Sequence, residues 1–148
     1  MTSESESAWA RLVPELLVAD IDKSLLFWRD LCGFTVLFDR PEEGFAYLDL
    51  AGAQIMLDEL GQTRDWVAGP LEAPFGRGMN LQISVPAIEP ILVALAPAGW
   101  PLFMQPEQKW YRTGGVETGV HQFLVQDPDG YLIRFSAHMG ERPCTHAG

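Results

Sequence analysis

The chain has 148 residues, 47% of them hydrophobic and 20% charged, which suits one soluble globular domain with a sizeable core. Twenty acidic residues against ten basic ones give a net charge of −10, and this argues against a nucleic-acid partner, because phosphates demand clustered Lys and Arg. No apolar run approaches the ~20 residues that a membrane span needs, so no membrane partner is expected.

The opening MTSESESAW is polar and acidic, the reverse of a secretory signal, so Met1–Ser7 reads as a disordered start and the location as cytoplasmic. VPELLV (Val13–Val18) is a short strand. Asp20 and Asp22 supply capping carboxylates to a helix in KSLLFWRDLCG, where Leu25, Leu26, Trp28 and Leu31 recur at helical spacing and Gly33 ends the run. Trp28 reads as core on that spacing. Strands follow at Phe34–Phe38, Phe45–Leu50 and Ala53–Glu59, giving the order βαβββ. Residues 61–78 hold four glycines, two prolines and the isolated aromatics Trp66 and Phe75, and read as a linker able to cover a cleft.

The order then recurs. Met79–Val85 is a strand, Ala87–Gly99 a helix that tolerates Pro90 in its first turn, and Trp100–Gln105 a strand. Val18-Ala-Asp-Ile21 lies over Val85-Pro-Ala-Ile88 at an offset of 67 residues, and Gly33 over Gly99 at one fewer. The expected architecture is α+β: two tandem βαβββ modules forming open, cup-shaped mixed sheets within a single domain 1–148. The modules span about 12–60 and 79–138, with the linker at 61–78 and a tail at 139–148. Lys109-Trp110-Tyr111-Arg112 reads as a polar, aromatic loop before the last hairpin.

That hairpin is FLVQDPDGYLIRF (Phe123–Phe135). Pro128 presets φ for the turn and Gly130 supplies a positive one. Strand side chains alternate between faces, so Arg134 points away from Ile133 and Phe135, onto the other face of the sheet. Cys32 and Cys144 suggest neither a disulfide framework nor a zinc pair. His121, His138 and His146 share no metal-binding spacing with a carboxylate. No G-x-S-x-G elbow is present, and neither cysteine sits where its pKa would fall.

VADIDKSLLFWRDLCGF resembles the opening, and FLVQDPDGYLIRF the closing hairpin, of the vicinal-oxygen-chelate proteins, the glyoxalase, bleomycin resistance and extradiol dioxygenase superfamily. The likeness spans Val13 to Ala137. It implies paired βαβββ cups, a homodimer with grooves lined by both cups, and in the enzymes a divalent metal held on the cup's inner face. Carried over one at a time, the metal-ligand positions fall on Val13, Met56, Asn80 and Arg134. Val13 and Met56 offer no hard or borderline donor, Asn80 stands where the enzymes have histidine, and the Arg134 guanidinium repels the ion.

The resemblance therefore points to a metal-free binder like the bleomycin resistance proteins, with no cofactor. Its expected ligand is an aromatic cation, bleomycin-like or otherwise, held by Trp110, Tyr111, Trp66, Asn80, Gln82, Arg134, Glu15 and Met56. No catalytic residue is assigned. The alternative is a lyase, isomerase or dioxygenase of the same superfamily, with displaced metal ligands or with Glu15 and Glu117 as acid–base groups.

Overall fold

The computed structural model describes residues 9–144; Met1–Ser7 and His146 lie outside the described residues. Two four-stranded sheets carry the chain. β1 (Glu15–Val18), β2 (Thr35–Arg40), β3 (Phe45–Leu50) and β4 (Ala53–Glu59) form one, in the order β1-β4-β3-β2. β5 (Asn80–Ser84), β6 (Leu102–Thr113), β7 (Val116–Gln126) and β8 (Leu132–Pro143) form the other, in the order β5-β8-β7-β6. In each sheet the first strand runs parallel to the last and the remaining pairs are antiparallel. This is the expected α+β arrangement of two βαβββ modules. The chain groups into two compact units: residues up to Arg77 together with Asp127–Tyr131, and Gly78–Gln126 together with the residues from Leu132 onward.

In the first unit Asp20 caps α1 (Ile21–Leu25), its carboxylate accepting the N–H groups of Asp22 and Lys23 at 3.0 and 3.3 Å. The helix then widens into a π-helical segment, Leu26–Leu31, and the N–H of Cys32 donates five residues back to Phe27 O at 2.9 Å. That widening changes which side chains face inward. Ser24, Phe27, Trp28 and Cys32 are buried, while Leu26, expected on the apolar stripe, is exposed. Trp28 is core, as its spacing predicted. Leu16, Val18, Leu48, Ile55 and Leu57 supply the buried face of the sheet.

The tip of the last hairpin also packs in this unit. Asp127 Oδ2 accepts from Trp28 Nε1 at 3.2 Å, Tyr131 Oη donates to Leu17 O at 2.9 Å, and Asp129 accepts from Ala19 N at 3.1 Å. Gly130 has φ +98°, and a Cβ there would overlap Pro74.

In the second unit α2 (Glu89–Leu95) admits Pro90 in its first turn. Ile88, Ile91 and Leu95 are buried with Ile83, Phe123, Val125, Ile133 and Phe135, and the Phe123 and Phe135 rings stack at 5.6 Å. Two expectations fail here. β6 does not stop near Gln105 but runs to Thr113, so Lys109–Arg112 is strand and not loop. Proline in mid-strand is tolerated because the β6–β7 register shifts between Met104 and Glu107, and a bulge needs no N–H from Pro106. Likewise β8 continues to Pro143, paired with Val116, so residues 139–143 are not tail.

Candidate functional site

Each sheet has one face buried by its helix and one face free of it. The free faces carry the candidate sites.

In the first unit alternation along β1 and β4 places Glu15, Met56 and Asp58 on the free face, with Glu15 directly beside Met56 and Leu17 beside Asp58. A pocket of about 240 Å³ opens there. Phe45 lies in it, Glu15 and Asp58 line one side, and Thr63, Arg64 and Trp66 of the linker line another. Arg40 stacks over Phe45 at 4.1 Å and pairs with Glu43 at 2.8 Å. Arg64 stacks over Trp66 at 4.9 Å, and Trp66 is 71% exposed.

Both arginines are thus engaged, but Glu15 and Asp58 have no ion-pair partner among the described residues. Burial, and then the charge of Asp58, pushes the Glu15 carboxyl above its usual range. Burial and the charges of Asp65 and Glu43 raise that of Asp58, against a smaller opposing pull from Arg40. The two carboxyls thus share one side of the pocket, each raising the cost of ionising beside a like charge. Beside the pocket, Trp9 packs edge-on against Tyr47 at 5.2 Å and Phe38 at 5.8 Å.

In the second unit the free face carries Gln82, Arg134, Ser136 and Gln122. Gln82 sits directly beside Arg134 across β5–β8, and Gln122 beside Ser136 across β7–β8. These four line a cavity of about 270 Å³ with Tyr111, Val120 and two threonines. Gln122 Nε2 donates to Tyr111 Oη at 2.8 Å and to Glu107 Oε2 at 3.0 Å. Arg134 therefore does face away from the core, into the wall of this cavity. Asn80 lies one pleat further along β5 and is exposed, outside the cavity lining.

Trp110 does not join Tyr111. Neighbours on a strand point to opposite faces, and Trp110 lies across Gly119 with the Arg142 guanidinium 4.2 Å over its ring. Arg142 in turn holds Glu117, buried at 6% exposure, at 2.7 Å. Trp110 and Glu117 thus form one structural cluster on the helix side of the sheet, and Glu117 is tied up as an ion-pair partner. His121 is on that side too, 3.6 Å from Glu89 of α2. Cys32 is buried, and burial pushes its thiol well above the reactive range.

The sequence reading missed Asp58, Arg40 and Phe45 in the first unit and Gln122 in the second. Their place on the free faces follows only from the strand pairing, which the sequence does not display.

The metal-ligand positions implied by the resemblance carry an alkyl group, a thioether, an amide and a guanidinium, in Val13, Met56, Asn80 and Arg134. Among the described residues no three His, Cys, Asp or Glu side chains are grouped to hold an ion. These donors do not fit a divalent metal. Among the described residues, no helix is long and apolar enough to cross a membrane.

Residues 10–135 match the model of the Glyoxalase/Bleomycin resistance protein/Dioxygenase superfamily. No curated protein matches the chain. Among solved structures, a superfamily member from Vibrio splendidus is 37% identical, over 88% of this chain and 100% of that one, with a TM-score of 0.40. TioX from Micromonospora is 23% identical, over 88% of this chain and 100% of that one, with a TM-score of 0.66. A virulence protein from Salmonella typhimurium is 19% identical, over 88% and 98%, with a TM-score of 0.65. From the extent of the family match, the chain belongs to the glyoxalase/bleomycin resistance/dioxygenase superfamily.

Proposed function

We propose that the protein is a metal-free binder that sequesters an aromatic, cationic small molecule, an antibiotic of the bleomycin type or a similar compound, and has no catalytic turnover. The observation that carries this reading is the first-unit pocket, where the unpaired carboxylates of Glu15 and Asp58 stand with the exposed Trp66 and with Phe45. A flat cation stacks on the ring, and its charge relieves the two acids. Stacking contributes about 0.5–1.5 kcal/mol beyond area burial, and cation–π contact about 0.5–2 kcal/mol more. At about 240 Å³ the pocket takes a planar head group, not a whole glycopeptide.

Met56, next to Glu15 on the same face, adds an adaptable apolar contact. Tyr111, Gln82, Arg134 and Asn80 belong to the same binding role on the second unit's free face. We place the protein in the cytoplasm as a homodimer, the state the superfamily commonly adopts; the unpaired thiols Cys32 and Cys144 suit a reducing compartment.

The test is calorimetric titration of metal-free bleomycin and of a small aromatic dication into the intact protein and into Glu15→Gln and Trp66→Ala. Micromolar binding that weakens at least about tenfold in either variant supports the reading. Absence of binding by both compounds overturns it. A stoichiometric divalent ion surviving purification, with activity that depends on it, moves the protein to the enzyme class.

A further inference from the structure

We infer that Arg40 is a built-in occupant of the first-unit pocket, displaced when the guest binds. Its guanidinium covers the Phe45 ring, and giving that ring up selects a flat, delocalised cation over a compact ammonium. This rests on the reading that the pocket holds an aromatic cation, and it names the residue that sets which cation is accepted.

Arg40, Phe45 and Asp58 form one row across the first sheet. Arg40 pairs directly with Phe45 across β2–β3, and Phe45 with Asp58 across β3–β4, so all three side chains stand on the free face. All three line the pocket, and within the row the Arg40 guanidinium lies 4.1 Å from the Phe45 ring centroid. With Phe38 tilted against it at 5.9 Å as well, Phe45 is only 7% exposed although it lies in the pocket wall. Trp66, the other ring in the pocket, is 71% exposed. The pocket therefore has one open stacking face and one that its own arginine has already taken.

That contact shows what the covered face accepts. A guanidinium is flat, weakly hydrated and spreads its charge over its plane, so it stacks on rings; an ammonium is a compact, strongly hydrated point charge. Displacing Arg40 costs a guest one stacked guanidinium, and only another flat, delocalised cation recovers that contact in full. Arg40 also has somewhere to go. It is the last residue of β2, its Nε donates to Glu43 Oε1 at 2.8 Å in the turn that follows, and the two side chains are 44% and 43% exposed. The guanidinium can leave the ring for solvent while Glu43 continues to hold it. Burial raises the Asp58 pKa most, and the Arg40 charge already pulls the other way; the guest's charge takes over that place.

Benzamidine and benzylamine are near-isosteric probes, one ending in a flat delocalised cation and the other in an ammonium. Each is titrated by NMR into the intact protein and into Arg40→Ala, while the Arg40 Nε–H and Trp66 indole N–H resonances are followed. In the free protein the Phe45 ring is expected to move the Arg40 resonance upfield. Benzamidine is expected to return it saturably, in the low-millimolar range that suits so small a fragment. Arg40→Ala removes the competitor for the ring and is expected to tighten benzamidine at least about tenfold, with the melt unchanged because an exposed ion pair contributes little. Benzylamine gains only from the lost positive charge, about twofold to threefold at an exposed site in physiological salt.

Equal gains for the two probes in Arg40→Ala would reduce Arg40 to a surface charge and overturn the assignment. So would an Arg40 resonance that stays unmoved while benzamidine saturates the Trp66 signal; the pocket would then bind its cation with Phe45 still covered, and the binding reading would stand. If neither probe moves the Trp66 resonance in either protein, the pocket holds no cation and both readings fall. The displacement is measured on the native protein, so a folding defect in Arg40→Ala cannot obscure it.

Discussion

Asp127 shows how one buried carboxyl ties chemistry to stability. It is 4% exposed, and burial raises its pKa to about 6 even though Trp28, Tyr131 and Asp129 donate to it. The folded chain therefore holds this proton more tightly than the unfolded chain does. The stability it contributes is complete below the ordinary carboxylate range and is lost as pH rises through about 6. Denaturant melts at pH 5 and pH 7 should show this loss in the native protein and not in Asp127→Asn, and the Trp28 indole N–H resonance should titrate with a midpoint near 6. Trp110 gives the opposite lesson to Trp66. Its ring is pinned between Gly119 and Arg142, so Trp110→Ala should cost about 2 kcal/mol of stability while leaving the affinity for an aromatic cation unchanged. Calorimetry beside a thermal melt separates the two effects.

At the scale of elements, the β6–β7 pair is built around a missing side chain. A Cβ on Gly119 would come within 2.8 Å of the Trp110 ring, so Gly119→Ala should destabilise the pair, and Trp110→Ala should suppress most of that loss in a double-mutant cycle. Most elements were legible because their punctuation is local: Asp20 caps α1, Gly33 and Gly99 end helical runs, and the Asp127–Gly130 turn sits between alternating strands. β6 was not. Its second half, PEQKWYRT, is polar on both faces and begins at proline, so it looks like loop until its pairing with β7 is known. The same hidden pairing explains the site. Arg134 was legible from alternation within its own strand, and Glu15 likewise. Gln122 acquires its meaning only from Glu107 and Tyr111 on another strand, and Asp58 and Arg40 look like ordinary charges at strand ends. Trp110 and Tyr111 were assigned to one clamp because a loop imposes no alternation; the strand does.

For the whole molecule, the metal-free reading makes two predictions. Dialysis against EDTA should leave the melting temperature and any ligand affinity unchanged, since Val13 has no donor, Arg134 repels the ion, and Met56 and Asn80 alone make too soft and too sparse a set for a divalent metal. Sedimentation at micromolar concentration should return a dimer; a monomer would remove that part of the proposal. The segment Asp127–Tyr131 has a further consequence. It is encoded late in the chain yet completes the first unit, meeting Trp28 and Leu17 at separations of 99 and 114 residues. During synthesis the first unit must wait for it, with Trp28 Nε1 unpaired and the turn's place against Phe75 vacant. The two modules look like a tandem duplication, yet the first unit is not contiguous in the chain, because it takes in this late turn. A gene cut after Arg77 should yield a fragment that fails to fold, and adding the partner fragment in trans should restore it only when that fragment carries the Asp127–Tyr131 turn.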